Sequence, residues 1–331
     1  MSHDRVCSPA VAWHDAWSES NHRFYRSQPA EDHFATSVEV DERIAAALAD
    51  IVTKLRATRE KEEFLVIDIG SGSGRLLEQL RARIAGPVSF LGIDVRPRPS
   101  LLPREILWRQ MRIDEGSIDI TGNGESAFGL VIAHEFLDDV PCDIVEIDDD
   151  MRARIVLVDP VTGAEELGPC LDDPAARRIV EPRAPDSLQQ WMTTWWPLTR
   201  PGARREIGLT RDLVWSRITK TLHSGAAVAI DYAHSRADRT LGVWDGGTLK
   251  GFASGRARRP VPDGSVNLTA HVALDALATP RAQLTTQAQV IGDSSLTSWP
   301  LGLGSYTWLI EPIGQPIDAA PSSASHETMS R

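Results

Sequence analysis

Three glycines at alternate positions, with an acid at the end of the next apolar run, are the residues of this chain whose types and spacing best suit chemistry. They lie in Phe64-Leu-Val-Ile-Asp-Ile-Gly-Ser-Gly-Ser-Gly74 and Leu91-Gly-Ile-Asp94. Gly70, Gly72 and Gly74 have no Cβ, so their backbone can take positive φ and let a ligand lie against it, with a helix N-terminus alongside. Asp94 is placed to accept hydrogen bonds from ribose hydroxyls. Together they read as a site for an adenosine-containing cofactor, with Asp68 just before the turn and Ser71 within it. Glycine turns and strand-end acids also occur in α/β proteins that bind nothing there.

A dinucleotide fingerprint needs G-x-G-x-x-G, whose third glycine permits close helix–strand packing. Arg75 stands at that third position. The G-x-G-x-G spacing resembles instead the first motif of S-adenosylmethionine-dependent methyltransferases, where the loop faces an amino acid moiety.

A second constellation closes Val131-Ile-Ala-His-Glu-Phe-Leu-Asp-Asp-Val-Pro141, an apolar strand ending in His134, Glu135, Asp138 and Asp139. Ligands of open parallel sheets bind beyond the carboxyl ends of the strands. Glu135 and Asp138 are three apart, which in a helical turn puts both carboxylates on one side, able to hold a guanidinium or amine and accept its proton. The alternative is a helix start enriched in acids for dipole reasons. His134 is a candidate general base or a packed strand-end histidine, and Tyr232 and His271 are equally ambiguous.

These residues need a parallel sheet to position them. Residues 64–69 are apolar except Asp68 and short, as a buried strand requires, and Arg75 to Ile84 repeats Leu at helical spacing. Further strands are expected at 106–111, 130–133 and 226–232, with an antiparallel last pair at 284–290 and 306–313. Helices are expected over 40–55, 211–222 and 268–278. Asp143 to Ile147 and Arg154 to Val158 read as a hairpin, and 169–185 as a loop with one short helix at 173–180. Residues 1–38 show no sustained period, and 315–331, rich in Pro, Ser and Ala, read as disordered. Trp191, Trp195 and Trp196 read as a core or subunit contact, which leaves a homodimer open.

Composition removes several function classes. With 35 Lys+Arg against 46 Asp+Glu among 331 residues, the net charge of −11 argues against a nucleic-acid surface. Arg256, Arg258 and Arg259 read as a solvated loop. Cys7, Cys142 and Cys170 have no metal-ligand spacing, so no metal is expected and a cytoplasmic setting fits. No run approaches the roughly 18 apolar residues needed to span a bilayer.

Six short blocks, Asp32 to Val40, Ile132 to Pro141, Arg205 to Ile207, Ala229 to Tyr232, Gly247 to Phe252 and Asn267 to Val272, occur in the order seen in the MidA family. That family includes a mitochondrial complex I assembly factor that acts as a protein arginine methyltransferase, and the resemblance covers roughly residues 25–290. It implies an α/β class I methyltransferase, Rossmann-like, with a mostly parallel sheet, an antiparallel last strand, an N-terminal lid and an insertion after the fourth strand. The implied layout is an arm, lid and helix over 1–60 and a methyltransferase domain over 61–314 with its insertion at about 143–210. S-adenosylmethionine is assigned to Asp68, Gly70, Ser71, Gly72, Gly74 and Asp94, with Thr36, Ser37 and Glu39 on the lid. Glu135, Asp138 and His134 are the candidate catalytic residues. The acceptor implied is a protein arginine; a small-molecule or O-methyl acceptor, or an assembly protein without turnover, are the alternatives. Val38 stands where the family usually has Pro, the loop reads G-S-G-S-G rather than G-P-G-R-G, Ala233 stands where Gly is common, and Ala273 replaces an acid.

Overall fold

The computed structural model describes residues 9–27, 41–116, 119–122, 124–180, 183–197, 199–295 and 305–314. By contacts these fall into two compact units: one within 35–137, 215–233 and 277–331, the other within 1–34, 138–214 and 234–276.

The first unit is built on a seven-stranded sheet: β1 Leu65–Ile69, β2 Ser89–Asp94, β3 Ile106–Gln110, β4 Ala127–His134, β5 Leu222–Asp231, β6 Gln283–Thr286 and β7 Thr307–Ile313. The order is β6-β7-β5-β4-β1-β2-β3, parallel from β5 to β3 and antiparallel where β7 meets β5 and β6. The α/β sheet with an antiparallel last strand is therefore as expected. Its central strands are buried on both faces, which is why they read as continuous apolar runs. The helix α1 Arg43–Arg56 packs Ile44, Leu48, Ile51, Val52 and Leu55 into the core, beside Leu76, Leu77 and Leu80 of α2 Arg75–Arg83. Gly129 of β4 lies opposite both Leu65 and Gly225; a Cβ on Gly129 would come within 1.9 Å of the Leu65 carbonyl oxygen, and one on Gly225 equally close to that of Gly129.

One expected strand is corrected. The segment expected as a strand to Val290 leaves the sheet after Thr286, and Gln287–Ile291 is a helix, because Thr286 and Gln289 form a reciprocal capping box.

The second unit holds an antiparallel sheet of Val11–Ala12, Asp143–Ile147, Ala153–Val158, Glu165–Cys170 and Arg204–Ile207, and a three-stranded sheet of Lys250–Ala253, Arg256–Arg258 and Asn267–Thr269. The hairpin at 143–158 is present, as are helices Pro174–Val180, Pro185–Trp195 and Leu209–Thr219, of which residues 209–214 belong to this unit. Arg256, Arg258 and Arg259 are exposed as expected, though the first two lie on a strand. Trp191 and Trp196 are core residues. Within 1–38, Trp13–Ser27 is a helix; its buried face is Trp13, Ala16, Trp17, Ser20, Asn21 and Phe24, a helical period written partly in polar residues. The helix expected over 268–278 is corrected to the strand Asn267–Thr269 and a helix at Leu274–Leu277. There Asn21 brackets Leu268, its amide donating to the Leu268 carbonyl and its oxygen accepting from the Leu268 N–H, both at 2.9 Å, while Lys250–Phe252 pairs alongside.

This unit holds two uncharged imidazoles, His234 buried and His271 partly buried. His234 stacks edge-on to Trp196 at 4.8 Å; burial, then the Arg239 guanidinium, push its pKa down to about 3. Burial and Arg211 hold His271 at about 4. Unfolded imidazoles bind protons near pH 6.5, so stability from these two groups is lost as pH falls from about 6.5 toward 4 and 3. Asp212, raised to about 7 by burial, works in the opposite sense between about pH 4 and 7. NMR titration should show neither His234 nor His271 gaining a proton between pH 8 and 5, and His234→Gln should flatten the acid limb of a melting-temperature profile. An imidazole titrating near 6.5 would contradict this assignment.

Candidate active site

In the first unit Asp68 and the glycine loop lie at the carboxyl end of β1 and Asp94 at that of β2. Gly70, Gly72 and Gly74 have φ of +70°, +57° and +79°, and the N–H groups of Gly70 and Ser71 both donate to the Ile93 carbonyl, at 2.9 and 3.0 Å. The three glycines are not equivalent. A Cβ at Gly70 would meet the Phe136 ring at 2.9 Å and one at Gly74 would meet Leu102 Cδ1 at 2.5 Å, so these two admit neighbouring side chains. At Gly72 a Cβ would meet only Arg96 Nη2 at 3.4 Å and the Gly70 carbonyl oxygen at 4.0 Å, leaving that face for a ligand. Gly92 serves a third purpose, giving room to the Trp108 ring from β3.

Asp68 is buried beneath the loop and accepts the Ser71 hydroxyl at 2.7 Å; burial pushes its pKa up to about 7. Asp94 ends β2 as expected. Its Oδ2 accepts the Gly72 N–H at 2.8 Å and Oδ1 accepts the Arg96 N–H at 2.9 Å, with the Arg96 side chain paired to both oxygens. An open glycine face with an acid at its edge fits the adenosyl and amino acid parts of S-adenosylmethionine.

His134 ends β4, buried, and desolvation lowers its pKa, so it is neutral at pH 7. Its Nε2 lies 3.4 Å from Glu135 Oε1. Glu135 stands outside any helix, at φ +48°, with its N–H donating to the Ile230 carbonyl at 2.8 Å. The expectation that Glu135 and Asp138 share a helical turn is corrected, since the 3₁₀ turn begins only at Leu137. A left-handed non-glycine residue costs of order 1–3 kcal/mol and persists only where its surroundings enforce it. Asp231, fully buried at the end of β5, is part of that enforcement: Oδ2 accepts the Leu137 N–H at 3.0 Å, tying down the chain after Glu135.

Asp138 and Asp139 belong to the second unit. There Arg211, itself buried, donates to the carbonyls of Asp138, Val140 and His271 at 2.7–3.0 Å. Asp139, passed over as a site residue, accepts from the Tyr25 hydroxyl and from Asn267 Nδ2 at 2.9 Å; burial, then Asp138, raise its pKa well above the usual carboxylate range. Arg96, Asp231 and Asp139 went unassigned in the sequence because their roles depend on partners distant in the chain or, for Arg96, on the loop's path. Thr36, Ser37 and Glu39 lie outside the described residues. Among the described residues no cluster of His, Cys, Asp or Glu suits a metal ion, and no helix is long and apolar enough to cross a membrane.

Solved structures from Burkholderia thailandensis share this fold. A COG1565 superfamily member bound to S-adenosyl-homocysteine is 18% identical, covering 94% of this chain and 90% of that one with a TM-score of 0.68. A native crystal structure of a COG1565 superfamily protein is 17% identical over the same shares, with a TM-score of 0.66. A comparison with curated proteins returned no match. The Methyltransf_28 family model, of S-adenosyl-L-methionine-dependent methyltransferases, matches residues 96–292. With more than half its length matched, the chain belongs to this MidA-like family of S-adenosyl-L-methionine-dependent methyltransferases.

Proposed function

We propose that this methyltransferase N-methylates a protein arginine side chain, with Glu135 as the residue that receives the acceptor's proton. The observation that carries the reading is the enforced left-handed backbone of Glu135 on the same strand-end edge as the glycine loop. The arginine acceptor rests on the family resemblance and on the suitability of a carboxylate for a guanidinium. Bound S-adenosylmethionine supplies a methyl group already activated by its sulfonium, so the protein's contribution is chiefly positioning. In this reading Asp94 accepts from the ribose hydroxyls, Gly72 lets the ligand approach, Asp68 fixes the loop through Ser71, and Thr36, Ser37 and Glu39 belong to a lid. Glu135 orients the acceptor nitrogen and takes its proton, and His134 buttresses that carboxylate.

Purified protein incubated with methyl-labelled donor and a lysate of the source cells should yield labelled protein that releases methylarginine on hydrolysis. Label confined to small molecules would replace the acceptor, and donor binding with no labelled product would favour an assembly role. Asp94→Ala should bind S-adenosylhomocysteine about 10- to 100-fold more weakly by calorimetry, the scale of one charged hydrogen-bonding partner, with the fold retained. Parental affinity in that variant would move the cofactor site elsewhere.

A further inference from the structure

The hydrogen bonding of Asp94 shows a competitor for the ribose. An ionised carboxylate has about four acceptor positions on its two oxygens. Here four donors address them: Gly72 N–H at 2.8 Å, Arg96 N–H at 2.9 Å, Arg96 Nε at 3.1 Å and Arg96 Nη2 at 3.4 Å. The two side chains are only 7% and 15% exposed, so the pair is little screened by solvent. Arg96 Nη2 also lies over Gly72, on the glycine face open to a ligand.

The backbone beneath this contact is pinned. Trp108 Nε1 donates to the Arg96 carbonyl at 3.2 Å, Gln110 Nε2 to the Val95 carbonyl at 3.1 Å, and the Met111 N–H to the Asp94 carbonyl at 2.8 Å. The Arg96 and Gly72 N–H bonds to Asp94 belong to that fixed backbone. The two guanidinium bonds belong to the Arg96 side chain, whose own torsions can carry it off Asp94 without moving that backbone.

We infer that the Arg96 guanidinium occupies the place of the ribose diol on Asp94 and that the cofactor must displace it, so that Arg96 sets cofactor affinity by competition. This rests on the reading of Asp94 as the ribose acceptor. An arginine that must leave lowers affinity; it also keeps a buried carboxylate paired whenever the cofactor is absent, where an unpaired one carries a desolvation cost.

Calorimetric titration with S-adenosylhomocysteine distinguishes the possibilities. Arg96→Ala should bind it more tightly than the parent, by roughly 3- to 30-fold, the equivalent of one partly buried ion pair. Arg96→Gln, which keeps length without charge, should fall between, and serves alone if Arg96→Ala melts early. Adenosine should share the gain and 2′,3′-dideoxyadenosine should not, because the released acceptors are those that a diol uses. Equal or weaker binding by both Arg96 variants while Asp94→Ala loses affinity would overturn the competition and leave the site in place. A gain that persists with the dideoxy probe would overturn it too. Parental affinity in Asp94→Ala would remove the site reading and this inference with it.

Discussion

Replacing Glu135 by Gln should leave S-adenosylhomocysteine affinity and melting temperature where they are and lower methyl transfer by about 100-fold or more, the usual scale for a positioned acid or base. Gln keeps the shape and the left-handed backbone but removes the charge. The backbone at this position has supports that do not involve the carboxylate, the Glu135 N–H on the Ile230 carbonyl and Leu137 on Asp231. Glu135→Gly supports the same point from the other direction. Glycine accepts φ of +48° without strain, so that variant should fold as well as the parent while losing transfer. Unchanged turnover in Glu135→Gln would remove the proton-acceptor role. Loss of folding in both variants would make Glu135 a structural cap.

Gly129→Val should prevent the sheet from forming, seen as insoluble protein or a melting temperature lower by about 10 °C or more. The Cβ it adds would sit 1.9 Å from the Leu65 carbonyl oxygen, which is backbone in a hydrogen-bonded neighbour and cannot turn away as a side chain can. The strand β4 lies between β1 and β5, so a shift on either side breaks a ladder. Gly246→Ala is the matched control, since a Cβ there meets nothing within 4 Å, and it should melt like the parent. A Gly129→Val protein as stable as the parent would mean that the register between β1 and β4 is wrong.

The parallel sheet and its glycine turn were legible because buried strands need unbroken apolar runs and a left-handed turn needs glycine; both requirements are local. Asp94 was legible for the same reason, as an acid closing such a run. What escaped was set by distant partners. Leu268 reads as part of a helix until Asn21, 247 residues earlier, takes both its backbone groups. The helix Trp13–Ser27 buries Ser20 and Asn21, polar residues that blur an apolar period. The helix after Thr286 did carry a local signal, the Thr-Gln-Ala-Gln capping box, overridden by the β-like alternation before it. Glu135 and Asp138 looked paired because spacing alone cannot show that the chain turns left-handed between strand and 3₁₀ turn. Arg96 carried a visible charge two residues from the acid, but its hold on Asp94 depends on how the chain leaves β2.

Among the described residues, five of the short blocks that carry the family resemblance, those from Ile132 onward, are joined to one another by side chains. Glu206 accepts from the Thr248 and Leu249 N–H groups, and a Cβ on Gly247 would press on its carboxylate at 2.8 Å; Asn267 holds Asp139; Asp231 holds Leu137. Each contact links two blocks far apart in the chain. Such positions are epistatic: a change tolerated with one partner is harmful with another. A chimera that imports one block from a relative would disrupt a contact that the same import made pairwise would preserve. For recombination within this family, the heritable module is therefore the coupled pair, Arg205–Ile207 with Gly247–Phe252 for instance, whatever the length of chain between its halves.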